Sequence, residues 1–222
     1  MVNLDELSQS VIAGDTDRAI SLTKACLDAG TPAKNILDKG LIPGIKTVGE
    51  LFSKGDYYLP ELLMSGEAMR AALDTLKPIL SKGGSLPAGK YVIGTVQGDV
   101  HNIGKDIVIM MLEGNGWEVR DLGVDVSPQE FCSAVEKNDF QVLGMSALLT
   151  STMPKFTETV NTLKAAGLRD KIKVMIGGAP VTQALADEVG ADAYAPDAPQ
   201  AVIKAGQLVT NSGKGNKNAT AH

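Results

Sequence analysis

The sequence predicts a two-part α/β protein, with helices first and a mostly parallel sheet after them. Three observations carry this. Residues 3–82 keep a helical spacing of apolar positions. A glycine-rich stretch, Gly83-Gly84-Ser85-Leu86-Pro87-Ala88-Gly89, then breaks the pattern and reads as a linker. Beyond it, short apolar runs alternate with helix patterns five times, the signature of a parallel sheet covered on both faces.

In the first part, Asn3 is placed to cap one helix and Asp15 a second that stops near Gly30. Thr31-Pro32 opens a third, with Pro at its first helical position. Pro43-Gly44 is expected to kink or break it. A fourth starts near Pro60 and carries Leu62, Leu63, Met69, Leu73 and Leu76, of which all but Leu63 fall on one face. Four helices joined by short connections suggest a bundle.

In the second part, strands are expected at 91–96, 117–122, 142–146, 173–176 and 193–195. Runs such as Val-Leu-Gly-Met suit strands buried on both faces. Helices follow from Gly104, from the capping box Ser127-Pro128-Gln129-Glu130, up to about Ala166, after Pro180 and from Pro199. We expect a flavodoxin-like (Rossmann-like) order of 2-1-3-4-5. The expected boundaries are 1–86 for the helical part, 87–210 for the sheet domain and a disordered tail over 211–222.

Composition narrows the function. The net charge is -5 and no basic stripe is visible, which argues against nucleic acid as a partner. The polar, acidic start does not read as a signal peptide, and no apolar run reaches membrane-span length, so no membrane partner is expected. Cys26 and Cys132 have no metal or redox spacing and read as free thiols of a cytoplasmic protein.

In open α/β sheets ligands bind beyond the carboxyl ends of the strands, where the strand order reverses. The loop after the first strand is Gly98-Asp99-Val100-His101-Asn102-Ile103-Gly104-Lys105. A lone histidine is more often structural than a ligand. Here Asp99, two residues upstream, can hold one ring nitrogen and leave the other for a metal. Gly104 allows close approach of something bulky. With no second histidine nearby and no cysteine pair, zinc is disfavoured. A macrocycle with its own equatorial nitrogens needs one protein ligand, which leaves haem or a corrinoid. After the third strand, Ser146-Ala147-Leu148-Leu149-Thr150-Ser151-Thr152 is either a helix cap with core leucines or a row of hydroxyls beside a polar ligand. After the fourth, Gly177-Gly178-Ala179-Pro180 is either a turn or a strip where a ligand slides along backbone.

Asp99-x-His101-x-x-Gly104, then 41 residues, Ser146-x-Leu148, then 28 residues and Gly177-Gly178 resembles the signature of cobalamin-binding domains. The resemblance implies that the cofactor's dimethylbenzimidazole leaves cobalt and inserts into the domain, and that His101 replaces it as cobalt's axial ligand. By that resemblance Ser146, Leu148, Thr150, Gly177 and Gly178 line the channel for the nucleotide tail. Val100, Asn102, Ile103, Gly104 and Tyr194 would also meet the cofactor. Thr152 would complete a relay with Asp99 and His101.

The stretch Gly55-Asp56-Tyr57-Tyr58-Leu59-Pro60-Glu61-Leu62 through Met69 resembles the helical cap of methionine synthase and of small corrinoid proteins. The resemblance spans residues 1 to about 210 and is nearest to the methylamine and betaine group. It implies a B12-binding protein that carries a methyl group on cobalamin or a related corrinoid, cycling between methylcobalamin and Co(I) cobalamin. A substrate-specific methyltransferase, for a methylamine, betaine or similar donor, would load it. A second would pass the methyl group to tetrahydrofolate or coenzyme M, and a reductive activase would rescue oxidised cofactor. The chain would not turn over alone. Tyr58, Leu62, Leu63 and Met64 would lie on the covering surface of the cap, although Leu62 fits the bundle core equally well. The alternatives are a subunit of an adenosylcobalamin mutase, a B12-dependent sensor or regulator, and a cofactor-free interaction domain.

Overall fold

The computed structural model describes residues 3–82 and 87–214. It divides into two compact units, Met1–Pro87 with Met110–Gly116, and Ala88–Ile109 with Trp117–His222.

The first unit is helical. α1 (Leu4–Ile12) is capped by the Asn3 side chain, which accepts from the Asp5 N–H. α2 (Thr16–Asp28) is capped in the same way by Asp15, accepting from the Arg18 N–H. Of the kink or break expected at Pro43-Gly44, the third helical segment shows no break. α3 (Ala33–Ile36) runs through a π turn over Leu37–Leu41 straight into α4 (Ile42–Lys54). Pro43 lies in the first turn of α4, and the irregularity falls on the turn before it. Proline lacks an N–H and its ring crowds the carbonyl four residues earlier, so one wider turn there relieves the clash without stopping the helix. α5 (Leu59–Lys82) is the longest helix. Leu62, Met69, Leu73 and Leu76 are buried with Leu7, Val11, Ile36, Leu41, Ile45 and Val48. Leu62 is therefore a core residue and leaves the covering surface, whereas Tyr58, Leu63 and Met64 are exposed.

The second unit is built on five parallel strands in the order β2-β1-β3-β4-β5. They are β1 (Lys90–Thr95), β2 (Glu118–Asp121), β3 (Val142–Ser146), β4 (Lys173–Gly177) and β5 (Ala193–Ala195). Tyr91 stands opposite Val142, and Thr95 opposite Ser146, so β1 and β3 end level. Among the described residues the helices that follow the strands are α6 (Ile103–Gly114), whose residues from Met110 on belong to the first unit, α7 (Pro128–Glu136), α8 (Pro154–Ala165), α9 (Gln183–Val189) and α10 (Ala198–Lys214). Ser127 and Glu130 form the expected capping box at the start of α7. α10 runs to Lys214, past the expected boundary at Asn211, and the rest of the tail lies outside the described residues. So do linker residues 83–86. Cys26 and Cys132 are both unpaired thiols. No helix among the described residues is long and apolar enough to cross a membrane.

One face of the sheet closes over a core of Val92, Leu143, Val174 and Ile176 packed with Phe131 and Phe156. Tyr91 is buried on β1, edge-on to Trp117 with ring centroids 6.0 Å apart. Its ring lies against Gly144, where an added Cβ would stand 2.6 Å from the phenol oxygen. Gly144→Ala is expected to cost about 1–3 kcal/mol through this clash. Urea denaturation checks it, and combining it with Tyr91→Leu should recover part of the loss.

Candidate functional site

The site forms in the second unit, where β1 and β3 end. The chain leaves β1, turns at Gly98 and buries Asp99 completely. A carboxylate out of reach of water must satisfy its oxygens within the protein. Asp99 Oδ2 accepts from the N–H groups of Leu148 (2.8 Å) and Leu149 (3.0 Å). The Thr152 hydroxyl lies 3.0 Å from the same oxygen and 2.8 Å from the Leu149 carbonyl, so its single proton serves one of them at a time. Asp99 Oδ1 accepts from the His101 N–H at 3.1 Å and lies 2.8 Å from His101 Nδ1. Burial opposes the ionised form. The bonds from the Leu149 N–H, the His101 ring, the His101 N–H and the Leu148 N–H outweigh it and hold the carboxyl well below the usual carboxylate range.

An ionised Asp99 accepts from Nδ1–H, which assigns that tautomer and leaves the Nε2 lone pair for a ligand. The His101 side chain is 47% exposed against 0% for Asp99. The Thr95 hydroxyl bonds the His101 carbonyl at 3.0 Å, so the residue's backbone is held at both its N–H and its C=O.

Val100 is exposed on the loop after β1, Ile103 at the start of α6, and Leu148 and Leu149 on the loop after β3. Gly104, one turn on, has nothing within 4 Å of where a Cβ would stand. Asn102 is tied to α6 by its bond to Asp106 at 2.8 Å. Ser146 is half-buried at the end of β3, and Thr150 is exposed in the short turn that ends at Thr152. Gly177 ends β4. Gly178 follows with φ 134°, and a Cβ there would come within 1.9 Å of the Ala147 carbonyl oxygen. Tyr194 stands apart from the Asp99 network. It pairs opposite Ile176, packs against the core and carries Lys204 Nζ 6.0 Å from its ring centre.

Some participants had no signal in the sequence. The Leu149 N–H is a backbone donor, and nothing in the residue type announces it. Lys105 reads as a solvated charge. It is 2% exposed, with Nζ 2.8 Å from Asp106 and 2.6 Å from Asp121, and so ties the start of α6 to the end of β2.

The B12 binding domain pattern matches residues 89–203, and a second B12 binding domain pattern matches residues 4–77. The chain belongs to the B12-binding domain family. Dimethylamine corrinoid protein 1 of Methanosarcina acetivorans is 42% identical over 207 residues, which are 93% of this chain and 97% of that protein. The crystal structure of a cobalamin-binding protein from Desulfitobacterium hafniense covers 94% of this chain and 99% of its own, with a TM-score of 0.79 and 33% identity. The methanol:cobalamin methyltransferase complex MtaBC of Methanosarcina barkeri holds a chain that matches with a TM-score of 0.81 and 30% identity, covering 93% of this chain and 79% of that one.

The cofactor of this family member is a corrinoid, and the residues present fit one. His101 offers a half-exposed imidazole whose Nδ1 is already held by a buried carboxylate, a donor that suits a macrocycle with its own equatorial nitrogens. The loops after β1 and β3 carry exposed apolar side chains that gain by covering a flat macrocycle.

Asp99 also makes a stability prediction. Its folded-state pKa lies below the unfolded value, so its contribution is present above about pH 4 and is lost as pH falls through the folded value. Asp99→Asn should lower stability at pH 7 by about 1–3 kcal/mol. It should also flatten the loss of stability between about pH 5 and pH 2. Urea midpoints measured across that range check both effects.

Proposed function

We propose that this chain carries a methyl group on its corrinoid between two methyltransferases. One takes the group from a methylamine, betaine or similar donor, and the other delivers it to tetrahydrofolate or coenzyme M. The proposed setting is the cytoplasm, with a reductive activase as a further partner. The single observation that supports this best is the exposed imidazole of His101 with its Nδ1 held on the buried Asp99. Similarity along nearly the whole length to a dimethylamine corrinoid protein points to the same chemistry.

A bound corrinoid supplies a metal that can accept and release a methyl group. The roles proposed for the chain's own residues follow from their chemistry. His101 would hold the cobalt through Nε2. Asp99 would fix the ring's tautomer through its contact with Nδ1. Thr152 steadies the carboxylate. Ser146, Leu148, Thr150, Gly177 and Gly178 are proposed to line the channel for the nucleotide tail. Val100, Asn102, Ile103 and Gly104 are proposed to border the ring, with Tyr194 farther along the strand edge. We propose residues 1–86 as a cap domain and 87–210 as the cofactor domain. Tyr58, Leu63 and Met64 are the cap's candidates for shielding a reactive metal from water.

Reconstitution with hydroxocobalamin should give a red to orange protein with about one corrinoid per chain. His101→Ala should keep most of that loading through the tail channel. Its cobalt(II) form should lose the nitrogen hyperfine coupling that the native protein shows in electron paramagnetic resonance. Identical signals from the two proteins would remove His101 from the metal. Methyl transfer from candidate donors, with the partner methyltransferases added, tests the carrier role itself.

A further inference from the structure

We propose that Asp125, on the loop between β2 and α7, is a positioning residue that sets the tautomer of His101 by holding the backbone of Asp99. Asp125 is the one non-glycine residue with positive φ among the described residues, at 56°. Asp enters that region more readily than most residues, yet at a cost that glycine does not bear. The neighbouring turns at Gly98 (φ 85°) and Gly123 (φ 88°) use glycine for the same purpose. What Asp125 adds is a carboxylate. Its Oδ1 accepts from the Gly98 N–H at 2.6 Å. Its own N–H donates to the Asp99 carbonyl at 3.0 Å. One residue thus grips the chain on both sides of the Asp99 Cα.

The requirements of α7 do not explain this residue. That helix is capped by Ser127 and Glu130, which bond each other's backbone N–H groups. Strain kept where a neighbouring helix gains nothing from it points to a role at the loop it grips. The Asp99 carboxylate is anchored to the β3–α8 loop through Oδ2, and its backbone is anchored to the β2–α7 loop through Asp125. Held from both directions, Oδ1 meets His101 Nδ1 at one distance. Loosening the Asp125 side lets the Asp99 backbone drift, and Nδ1 then loses its acceptor. The functional meaning of this inference rests on the proposed role of His101 at the corrinoid.

The test uses the full chain with His222→Ala, so that a single imidazole remains in the spectrum. Nitrogen chemical shifts of that ring, read on the alkaline plateau where they no longer change with pH, give the ratio of Nδ1–H to Nε2–H tautomers. Asp125→Gly adopts the same φ without strain and lacks the acceptor. The ratio should fall about fivefold, while the thermal midpoint holds or rises. Asp125→Asn keeps an acceptor oxygen and should restore the native ratio. Asp125→Ser, whose side chain reaches one bond less far, carries the same expectation as glycine and serves if that variant does not fold. A native ratio in both the Gly and Ser variants, or an equal fall in the Asn variant, overturns the proposal. The corrinoid-loaded proteins separate this from the reading of His101. Absence of nitrogen coupling in the native cobalt(II) signal would overturn the axial role, and the tautomer ratio would still decide the role of Asp125.

Discussion

A fully buried carboxylate that stays ionised is the constraint around which this site is organised. Asp99 has no water to turn to, so each of its oxygens needs donors from the protein. Oδ2 takes them from the β3–α8 loop, through Leu148, Leu149 and Thr152. Oδ1 takes them from His101, through both the main chain and the ring. Protonating the carboxyl would strand several of these donors, which is why burial fails to raise its pKa. Any change that displaces one loop therefore disturbs the others, because they share the same two oxygens.

The topology brings those loops together. In the order β2-β1-β3-β4-β5 the chain departs from β1 toward one neighbour and from β3 toward the other. Loops leaving adjacent strands in opposite directions open a crevice at the carboxyl edge. Thr95 and Ser146 end their strands level, so the loop carrying Asp99 and the loop carrying Leu148 start at the same height. Asp99 crosses the crevice as a short bridge. Gly178, on the next loop, passes so close to the Ala147 carbonyl that a side chain there would not fit. The crevice is thus closed at its base by hydrogen bonds, and the neighbouring loops after β3 and β4 are packed close by glycine.

Much of this was legible in the sequence, and the reasons differ from element to element. The central strands β1, β3 and β4 were readable because burial on both faces makes continuous apolar runs. The start of α7 was readable because a capping box is a local pattern. Asp99 and His101 were readable together because their contact spans two residues. The π turn before Pro43 was not, since a proline signals a disturbance without saying how the turn before it yields. Leu62 and Leu63 are adjacent leucines, and only the packing of α5 decides that one is core and the other exposed. Lys105 and Asp125 look like surface charges. Their roles depend on partners 16 and 27 residues away, which no local spacing encodes.

The contrast between Asp99 and His101 has a mechanical consequence. The role proposed for His101 would require its ring to move while its surroundings stay fixed. The His101 main chain is held at its N–H by Asp99 and at its C=O by Thr95. Its side chain is half exposed and leaves the buried network through one hydrogen bond at Nδ1. Rotation about the two side-chain torsions is then the freedom left to the residue. Displacement of the imidazole breaks that one bond and spares the donors on Oδ2, which belong to a different loop. A shorter residue at position 99 could not span the crevice, and a longer one would add a torsion to the bridge and blur the position of its oxygens. Aspartate reaches across with little torsional slack. The immobile acid can therefore serve as the reference point against which a mobile histidine is set.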